Sequence, residues 1–449
     1  MLRTTSLLAA TAAVALALAA AGRSGPAAAQ GAAGSPIELQ WWHAMTSVNG
    51  DRVNKLAEDF NASQTAYKIV PVFKGTYAET MNAGIAAFRA GSAPHIIQIF
   101  EVGTATMMAA KGAVKPVYQM MADAKEPFDP KSYLPAITGY YSTADGRMLS
   151  LPFNASTAVA FYNKDAFRKA GLDPEKAPKT WPEWFDAAKK LRASGMSCGF
   201  TAGWITWTQI EEFSVWHNLP IATEANGLGG TGAQLKINGP LQVKHIQTLA
   251  ELQKDKTFDY GGRTTEPEGK FTSGECGMIQ TSSGYYGIGK ANAKFDFGVA
   301  ELPYYPDAAG APQNTIIGGA SLWVMGGKKP EEYAGVAKFF SYLSQTPVQR
   351  ELHEVTGYLP ITKAAYEATK ASGFYEKNPG REVPIQELTD KEPTDNSRGL
   401  RLGNLAQIRD AWAEELETAF AGKQTAQQAL DNAVKRGDAI LRQFEKTAK

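Results

Sequence analysis

Apolar positions in the amino-terminal half of the chain fall into short runs that alternate with stretches of helical spacing. Ile37 to Trp42 (IELQWW) reads as a first strand, and Val53 to Ala62 (VNKLAEDFNA) carries its apolar residues at helical intervals. Tyr67 to Phe73 (YKIVPVF) predicts a second strand, Tyr77 to Ala90 (YAETMNAGIAAFRA) an amphipathic helix, and His95 to Phe100 (HIIQIF) a third strand. This strand–helix–strand rhythm argues for parallel sheet built from βαβ units. Ligands of such sheets sit beyond the carboxyl ends of the strands, on the loops that follow. Glu101, directly after HIIQIF, stands where one of those loops begins.

The pattern restarts near Leu151-Pro152-Phe153, with an apolar strand at Thr157 to Tyr162 and a helix led by Trp181-Pro182-Glu183-Trp184. A helix at Pro240 to Lys256, a strand at Gly277 to Thr281 and an extended run at Phe295 to Leu302 follow. Thr315 to Met325 (TIIGGASLWVM) predicts a further strand with glycines at its start, and the last hundred residues read as mostly helical, ending with Ala426 to Glu445. No repeat and no low-complexity linker interrupts the series. Two α/β lobes that exchange chain between them suit this order better than separate domains in a row.

The amino terminus is of a different kind. Arg3 supplies a positive charge, Ser6 to Ala21 is apolar, and Ala27-Ala28-Ala29 fits a small-x-small cleavage site. The apolar run is shorter than the roughly 20 residues of a spanning helix, so residues 1–29 read as a cleaved export signal, with the mature chain starting near Gln30. No cysteine follows the run, which argues against a lipid-anchored terminus. The mature protein is expected to be exported, soluble and periplasmic. Its 46 basic and 45 acidic residues leave a formal net charge of +1, so no overall field favours nucleic acid or an anionic membrane. Any charged ligand has to be recognised locally. Two cysteines, Cys198 and Cys276, in an oxidising compartment read as one disulfide closing a long loop; the alternative is a pair of buried thiols.

Several motifs look catalytic and lack the context for it. Gly195-Met196-Ser197-Cys198-Gly199 matches the G-x-S-x-G elbow, but a helix precedes it and a strand-like FTAGW follows, the reverse of the order a nucleophile elbow needs. Gly227 to Gly232 (GLGGTG) matches G-x-G-x-x-G without the strand before it or the helix after it, so it reads as a surface loop. The histidines, His43, His95, His217, His245 and His353, have no metal-ligand spacing. Glu211-Glu212 reads as a solvated helix edge, because adjacent helical side chains diverge by about 100°. No catalytic residue, metal ligand or cofactor site is expected.

Three short runs carry a resemblance: Phe161 to Phe167 (FYNKDAF), Pro178 to Trp181 (PKTW) and Phe271 to Met278 (FTSGECGM). They resemble the large solute-binding proteins of ABC importers, the family that includes the maltodextrin binders. Longer runs are similar to its sn-glycerol-3-phosphate-binding branch. These are Tyr67 to Tyr77 (YKIVPVFKGTY), Ala83 to Arg89 (AGIAAFR), Glu101 to Met108 (EVGTATMM), Gln313 to Met325, Thr356 to Tyr366 (TGYLPITKAAY), Gly373 to Gly380 (GFYEKNPG) and Gly399 to Asn404 (GLRLGN).

The resemblance implies a two-lobed type II periplasmic-binding-protein fold. Each lobe would hold a mixed, mostly parallel sheet flanked by helices, joined by a multi-strand hinge with a ligand cleft between. Residues 30–153 and 302–350 would form the first lobe, and residues 154–301 and 351–449 the second. It further implies a monomer that delivers its ligand to the transmembrane subunits of an ABC permease. On the matching motifs, Tyr77 (KGTY) and Glu101 (FEVG) would reach glycerol hydroxyls from the first lobe, with Ser156 (FNAST) at the crossover. Ser282 (TSSG), Gly319 (IIGGAS), Tyr358 (TGYLP) and Arg409 (AQIR) resemble phosphate contacts, and Trp204 and Trp207 the tryptophan pair that walls the cleft.

Elementary chemistry suits that allocation. Ser282-Ser283-Gly284 follows a strand and could open a helix, an anion seat with free N–H groups. An arginine grips phosphate oxygens bidentately. Glu101 would repel a phosphate beside it, which places it at the polyol end, away from Arg409. Tyr285-Tyr286 and Ile205-Thr206 are bulkier than the branch's usual residues. This bulk bears on the size of the ligand rather than its class, and a small glycerophosphodiester such as glycerophosphocholine stands as the alternative ligand. The rival readings are an oligosaccharide binder of the same fold, in which the tryptophans stack on sugar faces, and an exported phosphodiesterase or glycosidase.

Overall fold

A computed structural model describes residues 35–447; the expected export signal lies outside the described residues. Two sheets organise the chain. The first has five strands in the order β2-β1-β3-β9-β4: β1 (Ile37–His43), β2 (Tyr67–Phe73), β3 (Ile96–Phe100), β4 (Leu151–Ser156) and β9 (Gly318–Val324). The second has four in the order β6-β7-β5-β8: β5 (Ala158–Asn163), β6 (Cys198–Ala202), β7 (Cys276–Ser282) and β8 (Phe297–Ala300). β1 pairs in parallel with β2 and β3, while β9 runs against both β3 and β4. In the second sheet β6 and β7 are parallel, and β5 runs against β7 and β8. Each sheet therefore has one reversed strand inside an otherwise co-directional set, and these reversed strands are the ones the βαβ rhythm does not foretell.

β4 explains where the apparent restart comes from. All six residues of LPFNAS are buried, so the strand lacks the one-sided alternation that marks a half-exposed strand. It closes the first sheet at Ser156, and β5 opens the second at Ala158 after a single residue. The segment from Leu302 to Ile317 is tied to the helical turns Trp207–Glu212 and Phe213–Trp216 and to the helix Val383–Thr389: Leu302 N donates to Glu387 Oε1, Ile316 N to Glu212 Oε2, and Trp216 Nε1 to the Leu302 carbonyl.

Cys198 and Cys276 are joined as a disulfide. They are paired partners at the start of parallel strands β6 and β7, fully buried. His43, His217, His245 and His353 are also buried, packed among aromatic rings rather than gathered for a ligand. Among the described residues no helix is long and apolar enough to cross a membrane.

Candidate functional site

The two sheets face a cavity of about 520 Å³. Tyr77, Glu101, Ser156, Trp204, Trp207, Ser282, Gly319, Tyr358 and Arg409 all line it, although they are spread over more than three hundred residues of sequence. Local structure aims each one. Thr76 caps the Tyr77–Arg89 helix in a reciprocal capping box with Glu79, which fixes Tyr77 as its first residue. The Tyr77 ring stacks on Phe100 at the end of β3 (5.4 Å between centroids), and its hydroxyl accepts from Asn154 Nδ2 at 2.8 Å. Asn154, in β4, also accepts from Gln98 Nε2 at 2.8 Å, so a polar chain across the first sheet holds the tyrosine in place. Burial pushes the Tyr77 and Tyr358 phenols up, which keeps both protonated.

Gly319 is a position where glycine is required. Its φ is +85°, and a Cβ there would stand 2.0 Å from the Asn154 carbonyl oxygen. Gly319→Ala is expected to lower stability by about 1–3 kcal/mol or more, from left-handed strain plus a backbone clash. A thermal melt as stable as the parent's would show that β9 does not pack on β4 as described.

Trp204 is itself left-handed, with φ +51°, a conformation costing about 1–3 kcal/mol for a bulky residue. Backbone bonds hold it there: Trp204 N donates to Thr264 O at 2.7 Å and Ile205 N to Arg263 O at 3.3 Å. The half-buried ring is turned towards Tyr77 across the cavity, 6.2 Å between centroids. Trp207 begins a π-helical turn, Trp207–Glu212, a distortion frequent at functional sites. It is 4 % exposed and packs with Ala158, Trp216 and Leu302, beneath Gly318, where a Cβ would meet the indole at 2.5 Å. Trp204 is thus a wall of the cavity, while Trp207 is wall on one side and core on the other.

The charges differ from expectation. Glu211 and Glu212 are no solvated edge; both are buried, at 1 % and 0 % exposure. The divergence of neighbouring helical side chains holds, but each carboxyl points to an interior partner. Glu212 accepts from Ile316 N, and burial pushes its carboxyl well up. Glu211 takes Arg409 in a fork, Nε to Oε1 at 2.6 Å and Nη2 to Oε2 at 2.7 Å. Arg409 Nη2 also lies 2.8 Å from Glu101 Oε1. Glu101 therefore sits beside Arg409 instead of at the opposite pole of the cavity. One guanidinium between two carboxylates has no positive charge to spare. Desolvation pushes Glu101 up and Arg409 opposes that shift, while the two carboxylates hold Arg409 cationic. Among the described residues Nη1 of Arg409 has no protein acceptor, so that edge is the one available in the cavity.

The serine turn is also more occupied than expected. Ser283 N donates to Thr157 O, and Gly284 N to Ser282 Oγ at 3.1 Å. Two of the N–H groups expected to be free are already bonded, which leaves the Ser282 hydroxyl as the exposed feature. Tyr285 is anchored in the core with Phe161 and Phe271, its hydroxyl 2.6 Å from Thr272 Oγ1. Asn49, Arg263, Glu268 and Asp410 line the cavity too and carry no local signal in the sequence. Arg263 is forked onto Glu417, at 2.7 Å for each bond.

Comparison with known proteins places this architecture. The family model described as bacterial extracellular solute-binding protein matches residues 55–383. The sn-glycerol-3-phosphate-binding periplasmic protein UgpB of Brucella abortus is 56% identical over 406 residues, 90% of this chain and 93% of that protein. The proteins of that name from Rhizobium meliloti and Pectobacterium atrosepticum are 55% and 53% identical, over 90% and 92% of this chain and 94% and 93% of theirs. Among solved structures, UgpB from Mycobacterium tuberculosis in complex with glycerophosphocholine superposes with a TM-score of 0.77 at 20% identity, covering 91% of this chain and 99% of that one. The cyclic maltosyl-maltose-binding protein of Arthrobacter globiformis gives 0.71 at 24% identity, over 91% and 100%. The chain belongs to the bacterial extracellular solute-binding proteins and, within them, to the UgpB family.

Proposed function

We propose that the protein is a periplasmic receptor for sn-glycerol-3-phosphate or a small glycerophosphodiester such as glycerophosphocholine. It delivers this ligand to an ABC permease as a monomer and performs no chemistry on it. The observation that carries this reading is the convergence of nine separated positions, matched to the family's motifs, on one cavity between two sheets. We assign residues up to Ser156, with β9 and the helix Pro330–Leu343, to the first lobe. Ala158 to Ile317 and the carboxy-terminal helices form the second. The chain crosses between them three times, so closure is a hinge motion about those segments.

In this reading the phosphate meets Nη1 of Arg409 and the Ser282 hydroxyl, the phenols of Tyr77 and Tyr358 add donors, and Ser156 completes the polar lining. Glu101 accepts a glycerol hydroxyl next to Arg409, and Trp204 covers the carbon skeleton. The charge inventory favours the diester as a second reading. Both arginines in the lining are already paired with carboxylates, and a phosphodiester brings one negative charge where the monoester brings up to two.

Calorimetry with glycerol-3-phosphate, glycerol, glycerophosphocholine and maltose side by side tests the proposal. A micromolar dissociation constant, about −8 kcal/mol, is expected for one or both phosphate compounds and none for glycerol. Maltose binding without heat from either phosphate compound would establish an oligosaccharide receptor instead. Trp204→Ala should weaken phosphate-ligand binding by about 1–2 kcal/mol, the value of a half-covered ring; an unchanged affinity assigns the ring to packing alone.

A further inference from the structure

Among the acidic side chains of the cavity, three have an evident occupation. Glu79 caps its helix, Glu101 pairs with Arg409, and Asp410 stands exposed at the rim. Glu268 has none. It lies on the short helix Glu266–Thr272, is 8 % exposed, and lines the cavity within reach of the serine turn. Its Oε1 accepts from Thr281 Oγ1 at 2.8 Å, one residue before Ser282. Among the described residues its Oε2 has no protein partner, and no cation lies within ion-pair distance of the carboxyl. A buried carboxylate without a cation is strongly disfavoured, and a phosphate seated at Ser282 would add repulsion. The same side chain carrying a proton turns both facts round: Oε1 stays the acceptor for Thr281, and Oε2–H becomes a donor aimed into the cavity.

We propose that Glu268 is a ligand-contacting residue that enters the cleft as a carboxylic acid and donates a hydrogen bond from Oε2 to a phosphate oxygen, so that binding is linked to the proton on this one side chain. The proposal rests on the phosphate-bearing ligand inferred above. Burial pushes the Glu268 carboxyl up to about 8, and nearby Glu266 adds to the shift. The other ionisable groups around it do not compensate. Lys270, on the same helix, is bound to Asp259 and Glu275, Arg263 to Glu417, and Arg409 to Glu101 and Glu211. Tyr285 and Tyr358 face it as phenols that burial keeps protonated, and strands β6 and β7 present no ionisable side chain to it.

The direction of the pH effect follows. Only the protonated form is competent, so affinity is full below the folded pKa and falls as pH rises through it. A phosphate monoester has its second pKa near 6, so the ligand's own charge is constant over the range that matters. Calorimetry with sn-glycerol-3-phosphate should show the parent binding about tenfold more weakly at pH 9 than at pH 7, as the competent fraction drops. Glu268→Gln keeps a donor without the titration; its affinity at pH 7 should stay within about threefold of the parent's, with the pH dependence gone. On the parent protein, titrations at pH 9 in two buffers of different ionisation enthalpy should reveal uptake of close to one proton per ligand bound. Equal pH slopes in parent and variant, or no proton uptake, would overturn the role of Glu268. A glutamine variant that folds yet binds well beyond threefold more weakly at pH 7 would overturn it as well, since an amide N–H in place of the acid O–H would then fail to serve the ligand. Absence of glycerol-3-phosphate binding at every pH would instead overturn the ligand reading beneath it.

Discussion

Arg409→Ala is expected to lower folding stability by about 3–5 kcal/mol, the range for breaking a buried ion pair, and to abolish binding of the phosphate ligand. The sequence alone suggests a simpler outcome, a lost phosphate contact in an otherwise intact protein. The structure changes this because Arg409 is the sole cation between Glu101 and Glu211, whose side chains are 6 % and 1 % exposed. Without the guanidinium, two buried carboxyls face each other with no counter-charge, and at least one must take up a proton. Urea unfolding followed by circular dichroism measures the loss. Arg409→Met combined with Glu101→Gln and Glu211→Gln removes all three charges, so it should recover much of the stability without recovering binding. That pair of results separates the structural role of the arginine from its ligand role. An Arg409→Ala protein as stable as the parent would mean that the triad does not form in solution.

Cys198→Ala with Cys276→Ala should lower stability by about 4 kcal/mol, since the bridge closes a loop whose ends are 78 residues apart and loop-closure entropy grows with length. Ligand affinity should change little. The bridge is at the first residue of β7 and Ser282 at the last, so at about 3.3 Å per residue some 20 Å separates it from the cavity. Reductant should reproduce the stability loss in the parent and leave the double variant unaffected. Affinity falling in step with stability would show that the far end of β7 shapes the cleft.

The two results bear on different levels of legibility. The disulfide was readable as a possibility from two cysteines in an exported chain, but nothing local pairs them; that follows from β6 and β7 lying side by side in register. The half-exposed strands and amphipathic helices of the first lobe were readable because one face of each meets water. β3 and β5, buried on both faces, were readable as short apolar runs, while β4 was not, because Pro152, Asn154 and Ser156 break its run although all six residues are buried. The candidate site divides in the same way. Its nine matched residues could be named from motifs, and the fold does bring them to one cavity. Their roles could not, because Glu211, part of an acidic pair that looked like a surface edge, captures Arg409 and draws Glu101 beside it. Glu268 carried no signal at all, its neighbours Thr281 and Ser282 being distant in sequence.

Chain order, export character, the nine motif-matched cavity positions and the absence of a strong overall charge are all local or additive properties, and the sequence determines them without a fold. The charge state of the cleft is neither. It depends on which carboxyl lies within 3 Å of which guanidinium and on how much water reaches them, and both are set by contacts between α/β lobes whose segments are far apart in the chain. That is why the family could be read from short motifs, while the distribution of charge and protons around the ligand had to await the packed structure.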